Sequence, residues 1–209
     1  METHLQQEQS VQRRGFLAVL SGPSSAGKST LLNTILHKIP RLCYSISATT
    51  RPPRPGERDG EDYFFLNVET FKHMAATGEL LEWAEYCGNL YGTPRQYVEE
   101  SMAQGKIVIT DINIAGARQI RDTMPEGVFI FLMPPSLGEL RKRIVNRGVD
   151  TEESMRMRMA EAVAEMSAVT DYDYCILNDN LNEAATNLIA ILQAERCRVR
   201  RTVLHMLGQ

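Results

Sequence analysis

No apolar run in this sequence approaches the roughly 20 residues that a membrane-crossing helix needs, so no membrane partner is expected. No two cysteines stand at Cys-x-x-Cys spacing. Cys43, Cys87, Cys175 and Cys197 are scattered, which argues against a zinc site or disulfide framework and fits free thiols in a reducing cytoplasm. His4, His37, His73 and His205 show no ligand spacing either. An excess of positive charge is also missing. The 23 Lys and Arg are outnumbered by 26 Asp and Glu, for a formal net charge of −3, which argues against a general nucleic-acid binder. Residues 1–14 lack the apolar core of a signal peptide, and Glu2 and Glu8 are foreign to an Arg-rich transit peptide. They read as a disordered tail on a cytoplasmic protein. No internal repeat is present. A length of 209 residues suffices for one domain with insertions, as a monomer or a homo-oligomer alike.

What is there begins with Gly22-Pro23-Ser24-Ser25-Ala26-Gly27-Lys28-Ser29, a Gly-x4-Gly-Lys-Ser phosphate-binding loop. The apolar run Phe16–Leu20 precedes it, and Leu31, Leu32, Ile35 and Leu36 follow at helical spacing. In this strand–loop–helix context successive backbone N–H groups converge on one anion, and the helix N-terminus adds its positive end. Lys28 supplies a mobile charge for outer phosphates. Ser29 offers a hydroxyl to Mg²⁺, with Thr30 beside it.

Four further apolar runs, Leu42–Ser47, Lys106–Thr110, Val128–Leu132 and Tyr174–Leu177, alternate with helical stretches. The helices are expected near Lys28–Lys38, Pro94–Gln104, Ile114–Met124, Leu137–Asn146, Glu152–Thr170 and Leu181–Arg201. Short continuous strands between helices predict a three-layer α/β core around a parallel sheet. Residues 47–93 break the rhythm. They open on the Pro-rich Arg51–Gly56 and continue with a strand at Asp62–Leu66 and a helix at Val68–Thr77. A hairpin of Leu80–Tyr86 and Asn89–Tyr91 closes the segment. The segment reads as a small, mainly β insertion, and the Arg-rich residues 141–159 as a helical lid, leaving 15–46, 94–140 and 160–209 as the core.

Asp111 ends the third apolar run, where a phosphate-loop protein places the acid that orients Mg²⁺; a helix-capping aspartate is the other reading. Met155, Met157 and Met159 read as packing residues. The arginines at 196, 198, 200 and 201 read as the solvated face of a C-terminal helix.

The stretch Ser47-Ala48-Thr49-Thr50-Arg51-Pro52-Pro53-Arg54-Pro55-Gly56-Glu57-Arg58-Asp59-Gly60-Glu61-Asp62-Tyr63 closely resembles the nucleotide-monophosphate site of guanylate kinases. With Gly22–Thr30, Leu81–Ala84, Tyr91-Gly92-Thr93, Pro134-Pro135-Ser136 and Asn178-Asp179, the resemblance covers nearly all of the chain after the tail. It implies an ATP:GMP phosphotransferase, acting also on dGMP, with Mg²⁺. It assigns Ser47, Arg51, Arg54, Tyr63 and Tyr91 to the GMP phosphate and its surroundings. Guanidinium forks and phenolic hydroxyls suit that role. Glu82 and Thr93, beside Gly92, match the guanine-reading positions. A carboxylate accepts from both N1–H and the exocyclic amine of guanine, whereas adenine offers neither donor there. Arg143, Arg147 and Arg158 match lid arginines that close over the transferring phosphoryl group alongside Lys28 and Arg51. Asn178 matches the adenine-side loop.

The sequence departs from the family at four places. Asp111-Ile112-Asn113-Ile114-Ala115-Gly116 stands where the family usually has Asp-x-Asp-x-Gln-Gly, so Asn113 replaces a second carboxylate on the acceptor side. Ser25 replaces a glycine, Val149 a threonine, and Asp179-Asn180 an acidic pair. Two rival readings accompany the kinase: a catalytically inactive module of this fold that binds phosphopeptides, and a kinase of another small phosphate acceptor. The complete phosphate loop argues against the first, and Asn113 keeps the second open.

Overall fold

The computed structural model describes residues 12–145 and 152–203. Arg147 and Val149 of the lid, together with His4 and His205, lie outside them. In chain order the elements are β1 (Gln12–Arg13), β2 (Phe16–Ser21), α1 (Lys28–Ile35), β3 (Leu42–Tyr44), β4 (Ala48–Thr49), β5 (Phe64–Phe65), α2 (Val68–Thr77), β6 (Leu80–Tyr86) and β7 (Asn89–Pro94). There follow α3 (Arg95–Ala103), β8 (Ile107–Asp111), α4 (Ile114–Thr123), β9 (Val128–Met133), α5 (Leu137–Val145), α6 (Glu152–Met166), β10 (Tyr174–Leu177), α7 (Leu181–Arg196) and β11 (Thr202–Val203).

Five strands form the main sheet in the order β10-β9-β2-β8-β3, every neighbouring pair parallel. All six residues of the central β2 are buried, which is why that strand reads as a continuous apolar run rather than an alternating one. Its side chains still alternate in destination. Phe16, Ala18 and Leu20 pack with Leu31, Leu32 and Ile35 of α1 and Leu188 and Leu192 of α7. Leu17 and Val19 pack on the opposite face with Val98 of α3 and Ala117 and Ile120 of α4. Helices therefore cover both faces, and the expected three-layer α/β core is present.

The apolar run expected as one strand over Leu42–Ser47 is a strand only as far as Tyr44, and the chain then passes to a second sheet. Ser45 N–H still donates to Ile109 O of the main sheet at 2.8 Å, and the chain resumes as β4. That sheet has the order β5-β4-β7-β6, with β4 and β5 parallel and the other pairs antiparallel. Its hairpin turns at Cys87 (φ 50°) and Gly88 (φ 74°), a pair of left-handed residues that matches the strand twist. Ala48, Phe71 and Leu80 give it a small core of its own.

Two expectations near the C-terminus need correction. First, α7 stops at Arg196, and a 3₁₀ turn at Val199–Arg201 folds back. Arg201 is not on a solvated face: it is 6% exposed, stacks 4.2 Å from the Phe16 ring centroid and lies 3.1 Å from Glu195 Oε2. Glu195, 1% exposed, also accepts from the Tyr174 hydroxyl at 2.6 Å. Burial pushes the Glu195 carboxyl up, but the Tyr174 hydroxyl and Arg201 outweigh it and hold it below its usual value. Alternating charge with neighbouring apolar surface hid this pair in the sequence, because only the fold-back of the turn brings residues 195 and 201 together. Second, Met157 is 67% exposed, while Met155 and Met159 do pack against Leu140, Ile144 and Ala162.

Candidate active site

The phosphate loop connects β2 to α1 and its backbone takes conformations that few residues allow. Gly22 has φ 147°, and a Cβ there would stand 2.3 Å from Leu132 O. Gly27 has φ 99°, and its Cβ would meet the Asn178 amide at 2.6 Å. Both positions therefore require glycine. Ser25, the residue standing where the family has glycine, takes the left-handed conformation at φ 64°, which costs a non-glycine residue about 1–2 kcal/mol.

Side chains from distant elements hold the loop. Asn178, at the end of β10 and buried, donates from Nδ2 to Ala26 O at 2.7 Å. Arg143, on α5, donates to Ala26 O at 3.4 Å and Asn178 O at 3.1 Å, and pairs with Glu139 at 3.4 Å. The Lys28 ammonium rests on Gly22 O at 2.6 Å and Pro23 O at 3.2 Å. Ser24 N–H donates to Glu165 Oε2 on α6 at 3.3 Å. Thr30 is exposed on the first turn of α1, and Arg158 is exposed on α6.

Asp111 leaves the C-terminal end of β8 opposite the loop. Ser29 Oγ donates to its Oδ2 at 3.3 Å, and the Tyr44 hydroxyl donates to its Oδ1. Burial and the Asp111 charge push the Tyr44 hydroxyl well above its usual value, so it stays a donor. The serine hydroxyl and carboxylate are hard oxygen ligands of the kind Mg²⁺ takes alongside waters and substrate phosphates. Among the described residues no group of three or more His, Cys, Asp or Glu could hold a metal by protein ligands alone.

A cavity of about 440 Å³ extends from this point into the small sheet. Ser29, Tyr44 and Asp111 line one end; Ser47, Tyr63, Tyr91, Gly92, Glu82 and Asn113 line the rest. Glu82, on β6, is 8% exposed and accepts from the Thr93 hydroxyl across the hairpin at 2.8 Å. Burial pushes its carboxyl above the usual range, partly offset by that hydrogen bond. Its Oε2 lies so near the first turn of α4 that a Cβ on Gly116 would stand 2.9 Å away. Asn113 is the N-cap of α4, and its Oδ1 accepts from Gly116 N–H at 2.8 Å. Asn113 thus both faces the cavity and starts the helix that approaches Glu82.

The two insertion arginines are placed differently from the rest. Arg51 forks onto Glu57, with both nitrogen–oxygen distances at 2.9 Å, and lies 5.4 Å from the Tyr63 ring centroid. Arg54 is exposed, and its backbone N–H donates to Glu57 Oε2 at 2.7 Å. Neither side chain lines the cavity. Sequence reasoning missed three residues here: Tyr44, Glu57 and Glu165. Tyr44 looked like an ordinary strand residue. Glu57 had a signal, since an acid three to six residues beyond two arginines in a Pro-stiffened loop is placed to pair with them. Glu165 had none, because it meets the loop only through tertiary structure.

A family profile described as guanylate kinase matches residues 14–195. A guanylate kinase of Desulfitobacterium hafniense is 50% identical over 190 residues, covering 91% of this chain and 95% of that protein. One from Halalkalibacterium halodurans is also 50% identical over 190 residues, with 91% and 93% covered. Among solved structures, a guanylate kinase from Anaplasma phagocytophilum superposes with a TM-score of 0.72 at 35% identity, covering 93% of each chain. With a profile spanning most of its length and relatives at this identity, the chain belongs to the guanylate kinase family.

Proposed function

We propose that the protein transfers the terminal phosphoryl group of ATP to GMP, and to dGMP, which carries the same base. The observation that carries this reading is the single cavity joining Ser29 and Asp111 at the phosphate-loop end to Glu82 at the other. A donor phosphate on the loop and a guanine on Glu82 would bracket the space in which two phosphates must meet. Such a reaction needs no protein nucleophile. An oxygen of the GMP phosphate forms the new P–O bond to the γ-phosphorus, the bond to the β–γ bridging oxygen breaks, and ADP leaves with that electron pair. The protein's part is positioning and charge.

In this reading the backbone of residues 22–30 binds the ATP phosphates, and Lys28 turns from the loop carbonyls toward the outer ones. Arg143, with Arg147 and Arg158, contributes charge from the lid over residues 141–159, and Asn178 holds the loop next to the adenosine side. Residues 47–93 form the acceptor-binding unit. Ser47, Tyr63 and Tyr91 hold the GMP phosphate, with Arg51 and Arg54 closing on it from the Glu57-organised loop. Glu82 accepts from N1–H and the exocyclic amine of guanine, with Thr93 fixing its other oxygen and Gly92 leaving room. Asn113 borders the nucleoside. Mg²⁺ would be held by Ser29 and Asp111 and would supply neutralising charge to the outer phosphates of ATP. The site faces the cytoplasmic nucleotide pool, and no nucleic acid or membrane partner is invoked.

The test is a coupled ADP-release assay with GMP, dGMP, AMP, CMP and UMP in parallel. ADP release with GMP and dGMP alone is expected. GMP binding without ADP release would replace the kinase with a binding module, and preference for another acceptor would move the assignment to that substrate.

A further inference from the structure

The acid on the phosphate loop has no part in the chemistry above. Glu165 belongs to the last turn of α6 and reaches across to Ser24, 141 residues away in sequence, accepting its N–H at 3.3 Å. The phosphate loop is built to attract an anion: its N–H groups converge, α1 begins there, and Lys28 lies close enough to Glu165 to favour its charge. A half-buried carboxylate therefore sits where the electrostatics of the loop favour negative charge. Burial makes that placement costly for an ionised acid, since it pushes the Glu165 carboxyl up against the pull of Ser24 N–H and Lys28. Glu161, one turn earlier on the same helix, adds further repulsion.

We infer that Glu165 is a built-in competitor for the phosphate loop, a positioning residue that couples α6 to nucleotide occupancy. With the loop empty, its carboxylate satisfies Ser24 N–H and ties α6 down. A triphosphate on the loop brings up to four negative charges against that carboxylate, while Lys28 turns away to the phosphates. The carboxylate then gives up Ser24, and the C-terminal turn of α6 is released. The same contact sets ATP affinity, since part of the binding energy is used to displace Glu165. This inference rests on the reading of the loop as the ATP site.

The experiment measures ATP binding by calorimetry, without GMP so that no turnover occurs, on the full chain and on Glu165→Gln and Glu165→Ala. Gln keeps an acceptor for Ser24 N–H and removes only the charge. Both variants are expected to bind ATP more tightly, by roughly five- to tenfold, the scale of one like charge at about 4 Å in a watery site. A merely structural contact would weaken binding on removal. Hydrogen exchange supplies the second readout: ATP should speed exchange at the C-terminal turn of α6 in the wild type and change it little in Glu165→Gln. Equal or weaker ATP binding by Glu165→Gln, or identical exchange responses, would overturn the role of Glu165 while leaving ATP at the loop. Absence of ATP binding by the wild type would overturn both.

Discussion

The two ends of the cavity offer a phosphate different materials. At the donor end the proposed cradle is the backbone of the loop between β2 and α1, braced by Asn178 and Arg143. At the acceptor end the proposed cradle is made of side chains from the residue before β4 (Ser47), the loop before β5 (Arg51, Arg54 and Tyr63) and β7 (Tyr91), on a four-stranded sheet with a small core of its own. A backbone cradle cannot be altered much by side-chain replacement, except where a glycine is required. A side-chain cradle can be altered residue by residue, and each arginine in it must be held in place by something else. Glu57 does this for Arg51, much as Asn178 does for the loop. Donor binding should therefore be robust and all-or-none, and acceptor binding should be graded and tunable.

The largest effect should come from the side-chain charge that the donor loop itself carries, Lys28. Lys28→Ala removes the cation proposed to meet the transferring phosphoryl group, and kcat for ADP formation with GMP should fall about 10²- to 10³-fold. Steady-state assays should show this at saturating ATP and GMP. An unchanged kcat with a raised KM for ATP would mean that Lys28 only helps to bind ATP.

Base reading should come next. Glu82→Gln removes one charge-assisted acceptor, worth about 1.5–3 kcal/mol, or roughly 10- to 150-fold in kcat/KM for GMP. The KM for ATP should not move, since the two ends are built separately. Unchanged GMP selectivity would remove Glu82 from recognition. The pH dependence follows from the direction of its shift. Burial raises the Glu82 carboxyl above the 4.5 of an ordinary glutamate, so acidification neutralises it early. KM for GMP should rise on the acid side beginning above pH 4.5, and Glu82→Gln should abolish that limb. The raised value also means that the native state binds the proton more tightly than the unfolded chain. The carboxylate therefore costs stability as pH rises through this window.

The third test addresses how a side-chain cradle is held. Glu57→Ala frees the Arg51 fork and the Arg54 backbone N–H at once. KM for GMP should rise about three- to tenfold, within the net scale of about 0.5–1.5 kcal/mol of an ordinary hydrogen bond, while kcat stays near wild type. A lower KM would show instead that Glu57 sheathes Arg51 and that GMP must break the pair.

The same contrast governs what could be read from the sequence. The donor end is contiguous, and Gly22 and Gly27 announce their conformations because a Cβ is excluded at both. The inner parallel strands were legible for a similar reason: burial on both faces makes β2, β8 and β9 near-unbroken apolar runs. Where the run Leu42–Ser47 ends its strand early at Tyr44 and the chain passes to β4, periodicity carries no mark of the switch. The acceptor end was legible only through its dense Arg-Pro-Gly block, and its supports were not. Tyr44 reaches Asp111 and Glu165 reaches Ser24 only once distant segments are packed, and Arg201 reaches Glu195 only through the fold-back of the 3₁₀ turn.

The smallest effect, and the finest probe of the acceptor end, is Asn113→Asp. Asn113 already uses Oδ1 to cap α4, leaving its amide nitrogen as a donor at the cavity wall. Aspartate caps helices equally well, so the fold should be unaffected. It would keep one oxygen on Gly116 N–H and turn the other group from a donor into a charged acceptor, which suits the donor edge of guanine. One added charge at about 7 Å in a watery cavity is worth about 0.5 kcal/mol, so kcat/KM for GMP should rise two- to threefold with the ATP dependence unchanged. A second readout separates this from a simple change of fit. The new carboxylate would sit near Glu82 across the first turn of α4, and like charge raises a carboxyl further. The acid-side limb of the GMP profile should therefore move to higher pH than in the wild type. A lower GMP turnover, with the acid limb unmoved, would show that Asn113 suits a different acceptor, and that the shared scaffold does not carry a shared substrate.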